Sequence, residues 1–88
     1  MSEPNEIKEK LRNYICHELL KKTDYDLGDE QSLINGGILD SFAITDIAVF
    51  VDEHLGVYIP NEELDAEKMD TLNGMVAQIL LWQVKQDE

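Results

Sequence analysis

The sequence has one cysteine and seven basic residues among 88, and each shortage excludes something. One cysteine cannot form an internal disulfide, so folding does not depend on an oxidising compartment. Seven Lys and Arg stand against 19 Asp and Glu, for a net charge of −12. That balance argues against nucleic acid, or an anionic membrane surface, as a partner held by bulk charge, because both carry the same sign. No apolar run approaches the roughly 20 residues of a membrane span. The opening residues, Met1-Ser2-Glu3-Pro4-Asn5-Glu6, have neither the basic nor the apolar region of a secretion signal, and a cytoplasmic protein is expected. There is no internal repeat and no low-complexity tract.

Hydrophobic residues make up 43% of the chain, enough for one small domain over residues 1–88 with a core spanning about 5–84. The acids are spread along the chain with hydrophobic residues among them, which argues against disorder. Ile7, Leu11, Tyr14, Ile15 and Leu19 recur at three and four, predicting an amphipathic helix over about 5–21. Asn5 is placed to cap it, and Lys21-Lys22 suit the negative end of its dipole. Residues 23–40 are rich in turn formers, with Ser32–Gly36 fit for one helical turn and with Leu27, Leu33, Ile38 and Leu39 available to pin a long loop to the core. A second helix is predicted from Asp40 or Ser41 to Gly56, carrying Ile44, Ile47, Phe50, Val51 and Leu55. Its many β-branched residues make a buried strand the competing reading, and spacing and length favour the helix. After Pro60 come a short turn over about 62–65 and a final helix capped by Asp70 or Thr71, with Leu72, Met75, Val76, Ile79 and Leu80 on its buried face. Gly74 weakens that helix by about 1 kcal/mol, and Trp82 packs or half-packs against it. The fold class is all-α: three main helices, one short helical turn and a long first loop, in up-down packing with a crossover.

Chemistry concentrates in Gly36-Gly37-Ile38-Leu39-Asp40-Ser41-Phe42. A serine at a helix start after a glycine turn has its hydroxyl at the surface, close to backbone N–H groups that attract phosphate. On composition alone, Asp40 or Ser41 as a plain N-cap accounts for the pattern. At about 100° per residue, Phe42, Asp46, Val49 and Glu53 share one stripe of the second helix, while Ile47, Val51 and Leu55 lie on another. Either an ordinary solvated face or a docking surface for a basic patch fits that stripe.

From about Ile7 to Leu80, the order of elements resembles that of the acyl carrier protein family. The residues that carry the resemblance are Ile38-Leu39-Asp40-Ser41-Phe42, Asp52-Glu53 late in the second helix, Val57-Tyr58-Ile59-Pro60 and Asp70-Thr71-Leu72. Phe42 stands where many fatty-acid carriers have Leu, so that the Asp-Ser-Phe run looks more like D-alanyl carriers and other stand-alone carriers loaded by adenylating enzymes. The resemblance implies a small four-helix acyl-carrier bundle and a 4′-phosphopantetheine arm on Ser41, beside Asp40, attached by a phosphopantetheinyl transferase. It further implies acyl or aminoacyl thioester cargo for fatty acid, polyketide or specialised acyl metabolism, and a partner face comprising Phe42, Asp46, Val49, Asp52 and Glu53. Loading and processing enzymes with basic docking patches would be the partners of a monomeric chain, and Ile44, Ile47, Phe50 and Leu80 would be available to line an acyl cleft. The alternatives are an unmodified acidic interaction module and a metal-responsive domain.

The remaining candidates carry less. Asp24–Glu30 has the acids of a calcium loop, yet the EF-hand pattern needs Gly where Asp29 stands and Glu where Asn35 stands. Cys16 and His17 are adjacent on a helix and do not meet at one ligand position, so no metal site is expected. Cys16 falls opposite Ile7 and Leu11 on the wheel and is expected to be exposed. His54 serves most simply as a C-terminal cation. No nucleophile–base pair is present, and no catalytic residue is assigned.

Overall fold

The computed structural model describes residues 3–22 and 25–87. It is all-α, with no strand among the described residues. Helix α1 (Pro4–Tyr14) runs into a π turn (Ile15–Leu19), α2 (Phe42–Phe50) into a second π turn (Val51–Leu55), and α3 spans Leu72–Asp87; Asn61–Glu63 form one 3-10 turn. Pro4, rather than Asn5, opens α1: proline stands at the first helical position, where its missing N–H costs nothing, and Glu3 precedes it with no side-chain cap. The second helix covers the predicted span, and the helical spacing prevails over β propensity because Ile44, Ile47 and Val51 are buried together on its inner face.

Both long N-terminal helices end alike. The N–H of Leu20 bonds the Ile15 carbonyl and that of Lys22 the Cys16 carbonyl, each at 2.8 Å. In the second case the N–H of Gly56 reaches back to the Val51 carbonyl, and Val57 follows to the same oxygen at 3.4 Å. The residue that reverses the chain is left-handed each time, Lys21 with φ 55° and Gly56 with φ 70°, a conformation that glycine accepts freely. The first helix therefore stops short of its predicted end, and Lys21 and Lys22 lie beyond the last turn.

One core cluster gathers Ile7, Leu11 and Ile15 with Ile44, Ile47 and Val51, and with Leu72, Met75 and Ile79. The long loop joins it through Leu27, Leu33 and Leu39, with Ile38 partly buried. Cys16 is buried, contrary to the wheel: the returning loop covers it, with its Sγ 3.7 Å from the Tyr25 carbonyl. Burial pushes its thiol pKa up. Trp82 is half-buried, with the Lys85 ammonium 4.7 Å from its ring centroid.

Polar ties fix the loop at two points. Arg12 donates to the Leu27 carbonyl at 3.2 Å and pairs with Asp29, which Lys8 also reaches at 3.1 Å. Asp70 holds the other point. Ser32 Oγ donates to one carboxylate oxygen at 2.6 Å, the N–H groups of Ile34 and Asn35 donate to the other at 2.8 Å each, and the Asp70 carbonyl takes the Leu33 N–H at 2.7 Å. Residues 34–37 consequently form a turn rather than the expected helical turn. With Asp70 engaged there, Thr71 caps α3, its Oγ1 accepting the Gly74 N–H at 2.9 Å.

Two predictions follow from these contacts. A Cβ added at Gly74 would overlap the Lys68 carbonyl oxygen. Gly74→Ala should therefore lower stability by about 1–3 kcal/mol, against the gain that helix propensity alone would give; urea denaturation measures the sign. The Ser32 hydroxyl, and then the backbone N–H groups, hold the Asp70 pKa below its ordinary value. A depressed folded pKa contributes stability that is fully present above the ordinary carboxylate range near pH 4 and is lost as pH falls through the lower, folded value. The melting temperature of Asp70→Asn should fall below that of the wild type at pH 7, and the two should converge only once pH falls below the lowered, folded value.

Candidate functional site

The loop delivers residues 40–42 to the surface in a fixed order. The N–H groups of Ile38 and Leu39 both bond the Leu33 carbonyl, at 3.0 and 2.9 Å, and Leu39 is buried. Asp40 and Ser41 are thereby left exposed where α2 begins. Of the two possible caps the structure uses Asp40, whose Oδ1 accepts the Ala43 N–H at 3.1 Å. Ser41 has helical dihedrals (φ −67°, ψ −21°) and makes no side-chain cap bond. Its hydroxyl therefore has no part in starting the helix.

Phe42 follows, 79% exposed, a large apolar ring with no core role. Along the same side of α2 and its π turn, Asp46, Val49, Asp52 and Glu53 are all exposed, while Ile44, Ile47 and Val51 are buried. Leu55 is only half-buried. The predicted outward stripe is an outward face. Tyr58 enlarges it: 56% exposed, it borders a shallow crease with Val49 and Asp52. Periodicity gave no hint of Tyr58, since it lies in the extended exit after Gly56.

The electrostatics of this face rest on missing bases as much as on acids. Residues 23–67 contain twelve Asp and Glu and no Lys or Arg, whereas the rest of the chain is balanced at seven of each. The whole net charge thus belongs to the segment that carries α2. A count of acids, which are spread evenly, misses this; the positions of the bases reveal it.

On its other side α2 meets α1 across an open groove of about 800 Å³. Phe50 lies there, stacked on Tyr14 at 4.2 Å and on His54 at 4.7 Å between ring centroids. Of the four residues offered for an acyl cleft, Ile44 and Ile47 are closed into the core, Leu80 is partly buried against it, and Phe50 belongs to this groove. His54 ends the second π turn as a stacked ring.

Two of the calcium-loop carboxylates are otherwise engaged, and Asp26 is exposed. Asp29 is held by Lys8 and Arg12, and Glu30 accepts from the Asn73 amide; Asp24 lies outside the described residues. Among the described residues, no group of three His, Cys, Asp or Glu side chains is arranged to hold a metal ion, and no helix is long and apolar enough to cross a membrane.

No protein-family model and no curated relative matches the chain.

The division of labour at the helix start has a measurable consequence. Asp40→Ala should cost about 1 kcal/mol, the usual worth of a side-chain cap, while Ser41→Ala should leave the denaturation midpoint within error of the wild type.

Proposed function

We propose that the chain is a carrier protein of the acyl-carrier type, modified on Ser41 with 4′-phosphopantetheine and carrying acyl or aminoacyl groups. The observation that carries this reading is the exposed Ser41 hydroxyl, which is relieved of capping by Asp40 and flanked by an exposed Phe42. In the attachment step, Ser41 Oγ gives its proton to a base of the transferase and bonds the phosphorus that bears the pantetheine, as the anhydride bond of coenzyme A breaks and adenosine bisphosphate leaves. When bound, the arm supplies a terminal thiol that holds cargo as a thioester. The serine at the start of α2 suits the phosphate, because the first turn of a helix offers N–H donors and the positive end of its dipole. Three helices, a long first loop and a short turn before the last helix support this reading, and the cargo would be delivered by tethering, which raises its local concentration at each partner.

The outward face of α2 serves in this reading as the surface met by the transferase and by loading enzymes. Phe42 and Val49 would supply apolar contact, and Asp46, Asp52 and Glu53 would complement a basic patch. Complementary charge accelerates encounter more than it deepens affinity.

Intact mass tests the assignment. Incubated with a broad-specificity phosphopantetheinyl transferase and coenzyme A, the wild type should gain one phosphopantetheine and Ser41→Ala none. An unchanged wild-type mass alongside a modified control carrier would leave the chain as an unmodified interaction module. The face is tested separately: Asp52→Lys with Glu53→Lys should slow modification several-fold and weaken its salt dependence. Glu62→Lys with Glu67→Lys, exposed residues off α2 with the same change in net charge, should slow it much less.

A further inference from the structure

The groove between α1 and α2 is built from two facing helical stripes. Asn13, Tyr14, His17 and Glu18 follow three-and-four spacing on one side, and Asp46, Phe50 and His54 repeat every fourth residue on the other. Its volume of about 800 Å³ falls in the range of sites that hold a ligand group, about 300–1,000 Å³. The Tyr14–Phe50–His54 stack supplies aromatic surface along its length. The rim is acidic where it is unpaired: neither Glu18 nor Asp46 has an ion-pair partner among the described residues, whereas Lys10, also at the rim, is tied to Glu6 at 3.2 Å. Burial first, and then the nearby charges of Asp46, Glu18 and Glu53, raise the Tyr14 pKa.

Aromatic rings and unpaired carboxylates lining one groove suit a flat cation. A guanidinium stacks on rings and donates to carboxylates in the same pose, which an ammonium does less well. An anion would be repelled, and a purely apolar group would leave Glu18 and Asp46 desolvated without partners.

We propose that this groove receives an arginine side chain from a basic segment of a partner protein. The site lies beside the outward face of α2 and shares only Asp46 with it, and it uses residues of α1 and its π turn that the carrier reading leaves without a role. It does not depend on Ser41 being modified.

The unmodified 88-residue chain, labelled with ¹⁵N, is titrated at pH 8. The probes are the peptide acetyl-Gly-Ala-Arg-Ala-Gly-amide and the same peptide with citrulline, its uncharged isostere. The arginine peptide should give saturable shifts clustered on Asn13, His17, Asp46 and Phe50, and the citrulline peptide should not. Glu18→Gln, an exposed substitution, and Phe50→Leu, checked for retained helicity, should each weaken binding about two- to fivefold. Saturation by both peptides alike, shifts spread over residues 40–67 without a cluster in the groove, or no saturation at all would overturn the proposal. So would affinity indifferent to both substitutions. Because the probe reads binding to the unmodified chain, these outcomes are independent of whether Ser41 accepts phosphopantetheine.

Discussion

The carboxylate of Asp70 is the point on which the arrangement of the chain depends. Residues 25–40 contain no helix, and their backbone groups need partners that regular structure does not provide. Asp70 supplies three at once, its carboxylate taking the N–H groups of Ile34 and Asn35 and its carbonyl that of Leu33, while Ser32 Oγ donates to the other carboxylate oxygen. Leu33 then accepts Ile38 and Leu39, which determines where Asp40 emerges and hence where α2 begins. A residue at the foot of the last helix thus sets the position of a serine nearly thirty residues earlier. The chain's own α3 is freed of any need for Asp70 because Thr71 performs the cap.

The second tie works through charge. Arg12 and Lys8 converge on Asp29, and Asn73 engages both Asp29 and Glu30. These contacts fasten the acidic loop to α1 and α3 using two of the few bases in the chain. Lys10 and Lys68 are likewise engaged, with Glu6 and Glu63. The bases stabilise the scaffold locally and leave α2 with uncompensated negative charge, so that one distribution of residues serves both the packing of the loop and the character of the exposed face.

Helix number, the extent of α2, its buried face and its exposed stripe were legible in the sequence, because spacing at three and four reports burial directly. What escaped depends on contacts between distant segments. Cys16 is hidden by a loop that returns over it, and no helical wheel contains that loop. Asp40 and Ser41 are both good caps, as are Asp70 and Thr71, and only the geometry around each pair shows which one is used. The closeness of Gly74 to the Lys68 carbonyl converts a residue that reads as a weak helix former into a requirement. The π turns have no composition signal either: their ladders widen where the chain must reverse through Lys21 and Gly56.

The absence of lysine and arginine between Lys22 and Lys68 has a further consequence. Chemistry directed at amines has nothing to attack on α2 or on the segments that flank it in sequence: acetylation, ubiquitin transfer and lysine cross-linkers are confined to the residues before Thr23 and from Lys68 onward. Trypsin is restricted in the same way, and cannot cleave between Thr23 and Lys68. Ser41, Phe42 and every acidic residue of the outward face therefore leave a digest on a single large fragment, with whatever Ser41 carries still attached to it.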